Sequence, residues 1–295
     1  MQSPYKKVIV YDLETGGLHH SHNAVTEIAM VVIDLETLKI EDKFSCIIKP
    51  TFDLESRLMD STKEARVIFK LVAEKDPETK VASVMYGGKR LTIKDLEPIE
   101  KDLGLFDLLV ERKGTQFDSK QVALLENDAK YGDIAKLYFD KTYNPQALNV
   151  THMSKEMLLN EGIEQDEAID LITAFIEKYT IGNARPILAG HNIKKFDNPF
   201  LEKLLRRKGH DLYKMTNDTQ MIDTLEWARM RWFELPSFSL GVCVNASGLT
   251  LKEAHRALPD TEANAEFLIV MLKGLRSNGS NSEEKYVRRK FKFNF

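Results

Sequence analysis

Hydrophobic and polar positions divide the 295-residue chain into two kinds of pattern. Near the start, residues 8–11 (VIVY), 24–33 (AVTEIAMVVI) and 40–49 (IEDKFSCIIK) are short, rich in β-branched side chains and separated by polar turn material. Those features predict three strands of antiparallel type. From about residue 150 the pattern becomes one of helices alternating with short apolar strands. Ile169, Ile172, Phe175, Ile176 and Tyr179 recur at helical spacing. PILAG (186–190) predicts a buried strand, 199–208 a helix stopped by Gly209, and QMIDT (220–224) another strand. A final helix is predicted over 261–275, with Ala263, Phe267, Val270 and Met271 on one face. Antiparallel strands followed by a βαβα run predict an α/β fold: a mixed central sheet with helices packed on it.

Residues 51–145 interrupt that order, and a structureless loop of this length is foreign to a compact domain. Leu54, Leu58, Ala65, Phe69 and Val72 are spaced for a helix. The stretch 81–93 (VASVMY, Gly87-Gly88, KRLTI) predicts a hairpin. Val122, Leu125, Ile134, Leu137 and Tyr138 predict further helices. Residues 51–145 therefore read as a mostly helical inserted subdomain, and the main domain as the discontinuous pair 1–50 and 146–276. Beyond it, SNGSNSEE (277–284) has linker composition. The end of the 277–295 tail alternates Phe291, Phe293 and Phe295 with Lys290, Lys292 and Asn294, a strand period with a basic face. Such a tail can add a strand to a sheet edge or stay a basic peptide.

Composition narrows the function classes. With 43% hydrophobic and 29% charged residues the chain resembles an ordinary globular protein with a real core. A net charge of −3 argues against gripping long nucleic-acid backbone by charge alone. It leaves room for a site that takes a short end and neutralises its phosphates with bound metal. Cys46 and Cys243 are the only cysteines, which excludes a local cysteine metal motif and a disulfide framework. MQSPYKK leads straight into a strand pattern, and apolar runs such as Phe267–Leu272 are too short to span a bilayer. No membrane association and a reducing, cytoplasmic compartment are the resulting expectations.

Three short segments carry candidate chemistry. Asp12 and Glu14 flank Leu13 at the end of the first strand, and residues two apart in a strand point to one face. Two carboxylates so placed repel each other unless a cation lies between them, which suits a hard-oxygen Mg²⁺ or Mn²⁺ site. Solvated strand-end acids give the same text. The second segment, His191-Asn192-Ile193-Lys194-Lys195-Phe196-Asp197, follows the PILAG strand directly. An acid there is also a common helix cap. The third, His255 to Asp260 (HRALPD), leads into the final helix. Alone, it reads as a solvated histidine and a cap.

In this order, the three segments resemble the exonuclease motifs of the DEDD superfamily, specifically its histidine branch, the DnaQ-like exonucleases. That group includes proofreading subunits of bacterial DNA polymerases, ribonuclease T and oligoribonuclease. The resemblance covers residues 6–50 and about 145–275, with support from YNPQALNVTHMSKEML (143–158) and DTLEWAR…SFSL (223–240). It implies a ribonuclease H-like fold with a mixed five-stranded sheet and a metal-dependent 3′→5′ exonuclease. It further implies that Asp12, Glu14, Asp197 and Asp260 hold two Mg²⁺ or Mn²⁺ ions, and that His255 is the general base. Two divalent ions about 3.5–4 Å apart lower the pKa of water and stabilise charge on the leaving oxygen, and histidine accepts a proton near neutrality. Thr15, Gly16, Gly17 and Leu18 would form the turn that meets the terminal nucleotide, though family members usually carry a second threonine where Gly16 stands. Asn192 and Phe196 would line the nucleotide pocket; Phe196 also fits plain core.

Single-stranded DNA 3′ ends are the favoured substrate, with nucleoside 5′-monophosphates as products. An RNA exonuclease or oligoribonuclease-type enzyme fits the same residues, because 2′-hydroxyl discrimination depends on pocket geometry. The competing class is a non-catalytic nucleic-acid-binding subunit of a replication complex. Proofreading calls for a polymerase in trans; a free-standing repair, recycling or phage-type nuclease fits equally. The cluster His19, His20 and His22 lacks metal-site spacing and reads as a solvated loop. The basic run 203–208 reads as a helix-end complement to the dipole. Trp227 and Trp232 do not share a helical face, so they form no stacking platform.

Overall fold

In a computed structural model of the chain, residues 6–20, 23–50, 139–140, 142–251 and 255–280 are described, with short stretches at 52–53, 78–79, 81–86, 89–92, 116–117 and 74–75. Three long strands open the fold: β1 (Lys7–Thr15), β2 (Val25–Asp34) and β3 (Lys39–Ile47). Between 51 and 145 the described strands are β4 (Phe52–Asp53), β5 (Glu74–Lys75), β6 (Ala82–Tyr86), β7 (Lys89–Thr92) and β8 (Gln116–Phe117). The hairpin expected over 81–93 is present as the antiparallel β6–β7 pair, with Tyr86 opposite Lys89. The helices expected over 54–72 and 122–138 lie outside the described residues, as does 281–295.

The second half supplies α1 (Pro145–Val150), α2 (Lys155–Glu161), α3 (Gln165–Lys178), β9 (Ile187–Gly190) and α4 (Asp197–Arg206). After these come α5 (Leu212–Met215), β10 (Asn217–Asp223), α6 (Thr224–Arg231), α7 (Leu240–Ala246) and α8 (Ala257–Ser280). The central sheet has five strands in the order β10-β9-β1-β2-β3. β1, β2 and β3 pair antiparallel, while β9 runs parallel to both β1 and β10. This is the mixed, helix-flanked sheet that the alternation of patterns predicts. Several boundaries differ from the sequence reading: β10 begins at Asn217, α4 at Asp197, and α8 spans 257–280 rather than 261–275. Pro259 sits in the first turn of α8, where its missing N–H removes no helical bond. At the other end α8 runs into the segment of linker composition, and Ser277 Oγ donates to Gly274 O at 3.0 Å.

Strand alternation sends residues of β1 to two cores. Ile9, Tyr11 and Leu13 join Ile28, Met30, Ile169, Ile172 and Leu201 under α3 and α4. Val8 and Val10 join Val31, Ile33, Ala265, Phe267 and Leu268 under α8. Asp12 and Glu14 continue the second row, so they emerge on the α8 side where the apolar row ends. The cysteines divide the same way, Cys46 packing in the first core and Cys243 in the second, which keeps both as free thiols. Among the described residues no helix is long and apolar enough to cross a membrane.

Candidate active site

The end of β1 is built to hold charge. β9 stops at Gly190, and its last β1 partner is Val10, paired with Ala189. The Leu13 N–H is instead bonded by the Asp197 carboxylate, which also bonds its own N–H; Asp197 is 2% exposed. Asp197 thus opens α4 and docks on β1 at once. A register shift between Glu14 and Thr15 then leaves one more pair with β2, Thr15 with Val25, before the chain turns out of the sheet.

Across the gap, the first turn of α8 brings Asp260 to the β1 acids. One potential ligand atom from each of Asp12, Glu14 and Asp260 lies within 4.8 Å of the others, the only such group among the described residues. Asp260 Oδ2 accepts from the His255 N–H at 3.1 Å, whereas Oδ1 is buried with no hydrogen-bond partner among the described residues. Burial first, then mutual repulsion, pushes these carboxyls up. Glu14 rises from an ordinary 4.5 to about 8, through burial and then the charges of Asp260 and Glu27. Asp12 is raised well above the usual range by burial, Asp197 and Glu14, and Asp260 is raised mainly by burial. Asp197 is raised by burial against the opposing effect of its two N–H bonds. An orphaned carboxylate oxygen beside two crowded acids is the donor set of a hard divalent cation, so the residues present fit one.

The turn after β1 is closed internally. The Thr15 hydroxyl donates to Gly17 O at 2.7 Å, and Gly16 O accepts from the Asn144 N–H at 2.7 Å. Gly17 has a φ of 154°, and a side chain there would meet Asn23. Leu18 is 77% exposed at the tip, an apolar side chain presented to solvent. On the other flank Asn192 adopts a φ of 67°, its N–H held by Asp223 Oδ1 at 2.9 Å. Phe196 is half-buried against Phe200, with ring centroids 5.2 Å apart. His191, to which the sequence assigns no role, is half-buried: Nε2 meets Phe238 O at 2.8 Å and Nδ1 meets Thr224 Oγ1 at 3.1 Å. Burial pushes its pKa down.

Two residues were missed. Glu27 lies opposite Glu14 in the β1–β2 ladder, buried, and binds Arg256 through both oxygens at 3.0 Å. Its signal is present: an acid ahead of the apolar run of VTEIAMVVID, well before the Asp34 that ends the strand. Arg256 was read only as part of the segment around His255. Of the features set aside, only part is described. His19 and His20 are exposed, and His22 lies outside the described residues. Lys203 donates to His20 O at 2.7 Å, and Arg206 and Lys208 pair with Glu202 and Asp170. Trp232 stacks on Phe267 within the core.

A ribonuclease H-like sheet with acids gathered at the end of its central strand defines a nuclease. The chain belongs to the RNase_T family, described as an exonuclease family, whose sequence model matches residues 9–94 and 125–268. Among curated proteins it is similar to the PolC-type DNA polymerase III of Staphylococcus saprophyticus, 30% identical over 217 residues. The Staphylococcus aureus counterpart is 28% identical over 212 residues. These matches cover 68% and 66% of this chain but 14% of each polymerase, so the chain spans about a seventh of those relatives. Among solved structures, Escherichia coli exonuclease I in complex with a dT13 oligonucleotide superposes with a TM-score of 0.54 at 13% identity, covering 93% of this chain and 43% of that one. Exonuclease I from Methylocaldum szegediense gives 0.51 at 15% identity, covering 91% and 40%. At such identities the likeness is one of fold.

Proposed function

We propose that the chain is a 3′→5′ exonuclease that hydrolyses single-stranded DNA from its 3′ end and releases nucleoside 5′-monophosphates with two divalent cations. The observation that carries this reading is the cluster of Asp12, Glu14 and Asp260 around a buried, unpartnered Asp260 Oδ1. Asp12, Glu14 and Asp260 would hold the cations, with Asp197 beside them. When bound, Mg²⁺ or Mn²⁺ supplies a lowered pKa for attacking water and a counter-charge for the leaving 3′ oxygen.

The chain's own groups do the rest. His255, exposed at the rim of the cluster, takes the proton from the attacking water. Asp197 fixes the end of β1 through the Leu13 N–H and so sets where Asp12 points. The Thr15–Leu18 turn receives the terminal nucleotide, with Leu18 packing on its base; Asn192 and Phe196 close the opposite wall. DNA is favoured because the sequence relatives are DNA polymerases and the structural neighbours include exonuclease I solved with dT13. A polymerase partner for proofreading stays within this proposal; the relatives' polymerase activity does not transfer from a seventh of their length.

The test is a time course on matched 5′-labelled DNA and RNA strands with Mn²⁺, Mg²⁺ or EDTA, run beside Glu14→Ala. The expected result is a metal-dependent ladder shortening from the 3′ end, faster on DNA and absent in the variant. Intact strands in every lane would turn the reading toward a non-catalytic subunit.

A further inference from the structure

We propose that Glu27 and Arg256 form a clamp that positions His255 for the hydrolytic step. The inference rests on the reading of His255 as the base. Glu27 stands in β2 directly across from Glu14, with its side chain only 6% exposed. One oxygen accepts from Arg256 Nη2 and the other from Arg256 Nε, both at 3.0 Å. The latter oxygen also takes the Ala257 N–H at 3.2 Å. A two-bond pairing of this kind fixes the plane of the guanidinium as well as its distance. It also directs the Glu27 lone pairs to Arg256, although the Glu27 charge still reaches Glu14 and Asp260.

His255 needs such an anchor. It precedes α8 with a φ of 68°, in the left-handed region that an L side chain occupies only where its surroundings hold it. Its own N–H is tied to Asp260 Oδ2. The very next residue is tied to β2 of the sheet through Glu27. Helix α8 is anchored chiefly by Ala265, Phe267 and Leu268, fully buried against the sheet, and the Glu27 bond to the Ala257 N–H touches only its first residue. The effect of the clamp therefore falls on the residue just outside the helix.

Removing Arg256 alone would strand a buried charge on Glu27, so the informative variant is the pair Glu27→Gln with Arg256→Gln. Steady-state kinetics on labelled single-stranded DNA with Mn²⁺ should show kcat lowered about 100-fold, with KM and Mn²⁺ affinity within about threefold of the parent. In a His255→Ala background the same pair should lower kcat no further, since both changes act through one group. Arg256→Lys keeps the charge but loses the fork, and should show a smaller fall in kcat with an unchanged melting temperature. The clamp is overturned by an unchanged kcat, by a further fall in the His255→Ala background, or by Mn²⁺ affinity lost together with kcat. Failure of the underlying reading looks different: His255→Ala would then be as active as the parent, or the parent would show no metal-dependent activity.

Discussion

At Gly16 the chain passes closer to itself than any side chain permits. A Cβ there would stand 2.3 Å from Thr142 O and 2.8 Å from Tyr143 Cα, backbone atoms that cannot swing aside. The same strip carries the Asn144 N–H to Gly16 O bond, so relief by local movement would break a contact. Gly16→Ala should destabilise the fold by about 1–3 kcal/mol, read from the midpoint of urea unfolding. An unchanged midpoint would mean that the strip yields freely. The glycine was legible in the sequence as a turn residue, and its position beside the β1 acids pointed to a nucleotide. Its closest neighbour is instead the chain's own backbone, from a segment far along the sequence. A single sequence records no such pairing, and the same holds for Glu27. The acid within a mostly apolar strand is visible, whereas its guanidinium partner 229 residues away is not.

At the scale of elements, α8 brings Asp260 to the candidate site and its packing should dominate stability. Phe267 is fully buried and stacks on Trp232 with ring centroids 5.6 Å apart. Phe267→Ala should cost about 3–5 kcal/mol in urea unfolding. A loss below about 1 kcal/mol would contradict the burial of this face. Which elements could be read in advance follows from how local their signals are. The alternation that puts Asp12 and Glu14 on one face repeats every second residue and needs no partner. The strands β1, β2, β3 and β9 were legible from short runs rich in β-branched and apolar residues, α3 from its helical spacing and α4 from the glycine that stops it, signals that are equally local. Helix ends were less so: α8 starts before Pro259 and continues through Ser277, because capping bonds and packing, not composition, set those limits. The gathering of Asp12, Glu14 and Asp260 required knowing that α8 crosses the end of β1, which only the resemblance to a known family implied.

For the whole molecule, metal binding and stability are coupled through the same carboxylates. A net charge of −3 is modest, yet Asp12, Glu14, Asp197 and Asp260 converge at one end of the sheet. Glu14 has a folded pKa near 8 against an ordinary 4.5. Between those values the folded chain holds a proton that the unfolded chain has released, so without metal its contribution to stability falls as pH rises. Asp12 and Asp260, also raised, act in the same direction. His191 acts oppositely, because burial lowers its pKa, but it is common to samples with and without metal. Asp42, lowered to about 2 chiefly by its bond to Lys178, matters only in acid. Divalent cations should replace the bound protons, so their stabilising effect should grow with pH.

The most direct measurement is the melting temperature from about pH 5.5 to about pH 8.5 in EDTA and in Mn²⁺, for the parent chain and Asp12→Ala. The expected result is a Mn²⁺-induced rise in the parent that widens with pH and is absent in Asp12→Ala. Curves that coincide with and without Mn²⁺ at every pH would contradict the claim that these carboxylates form a metal centre.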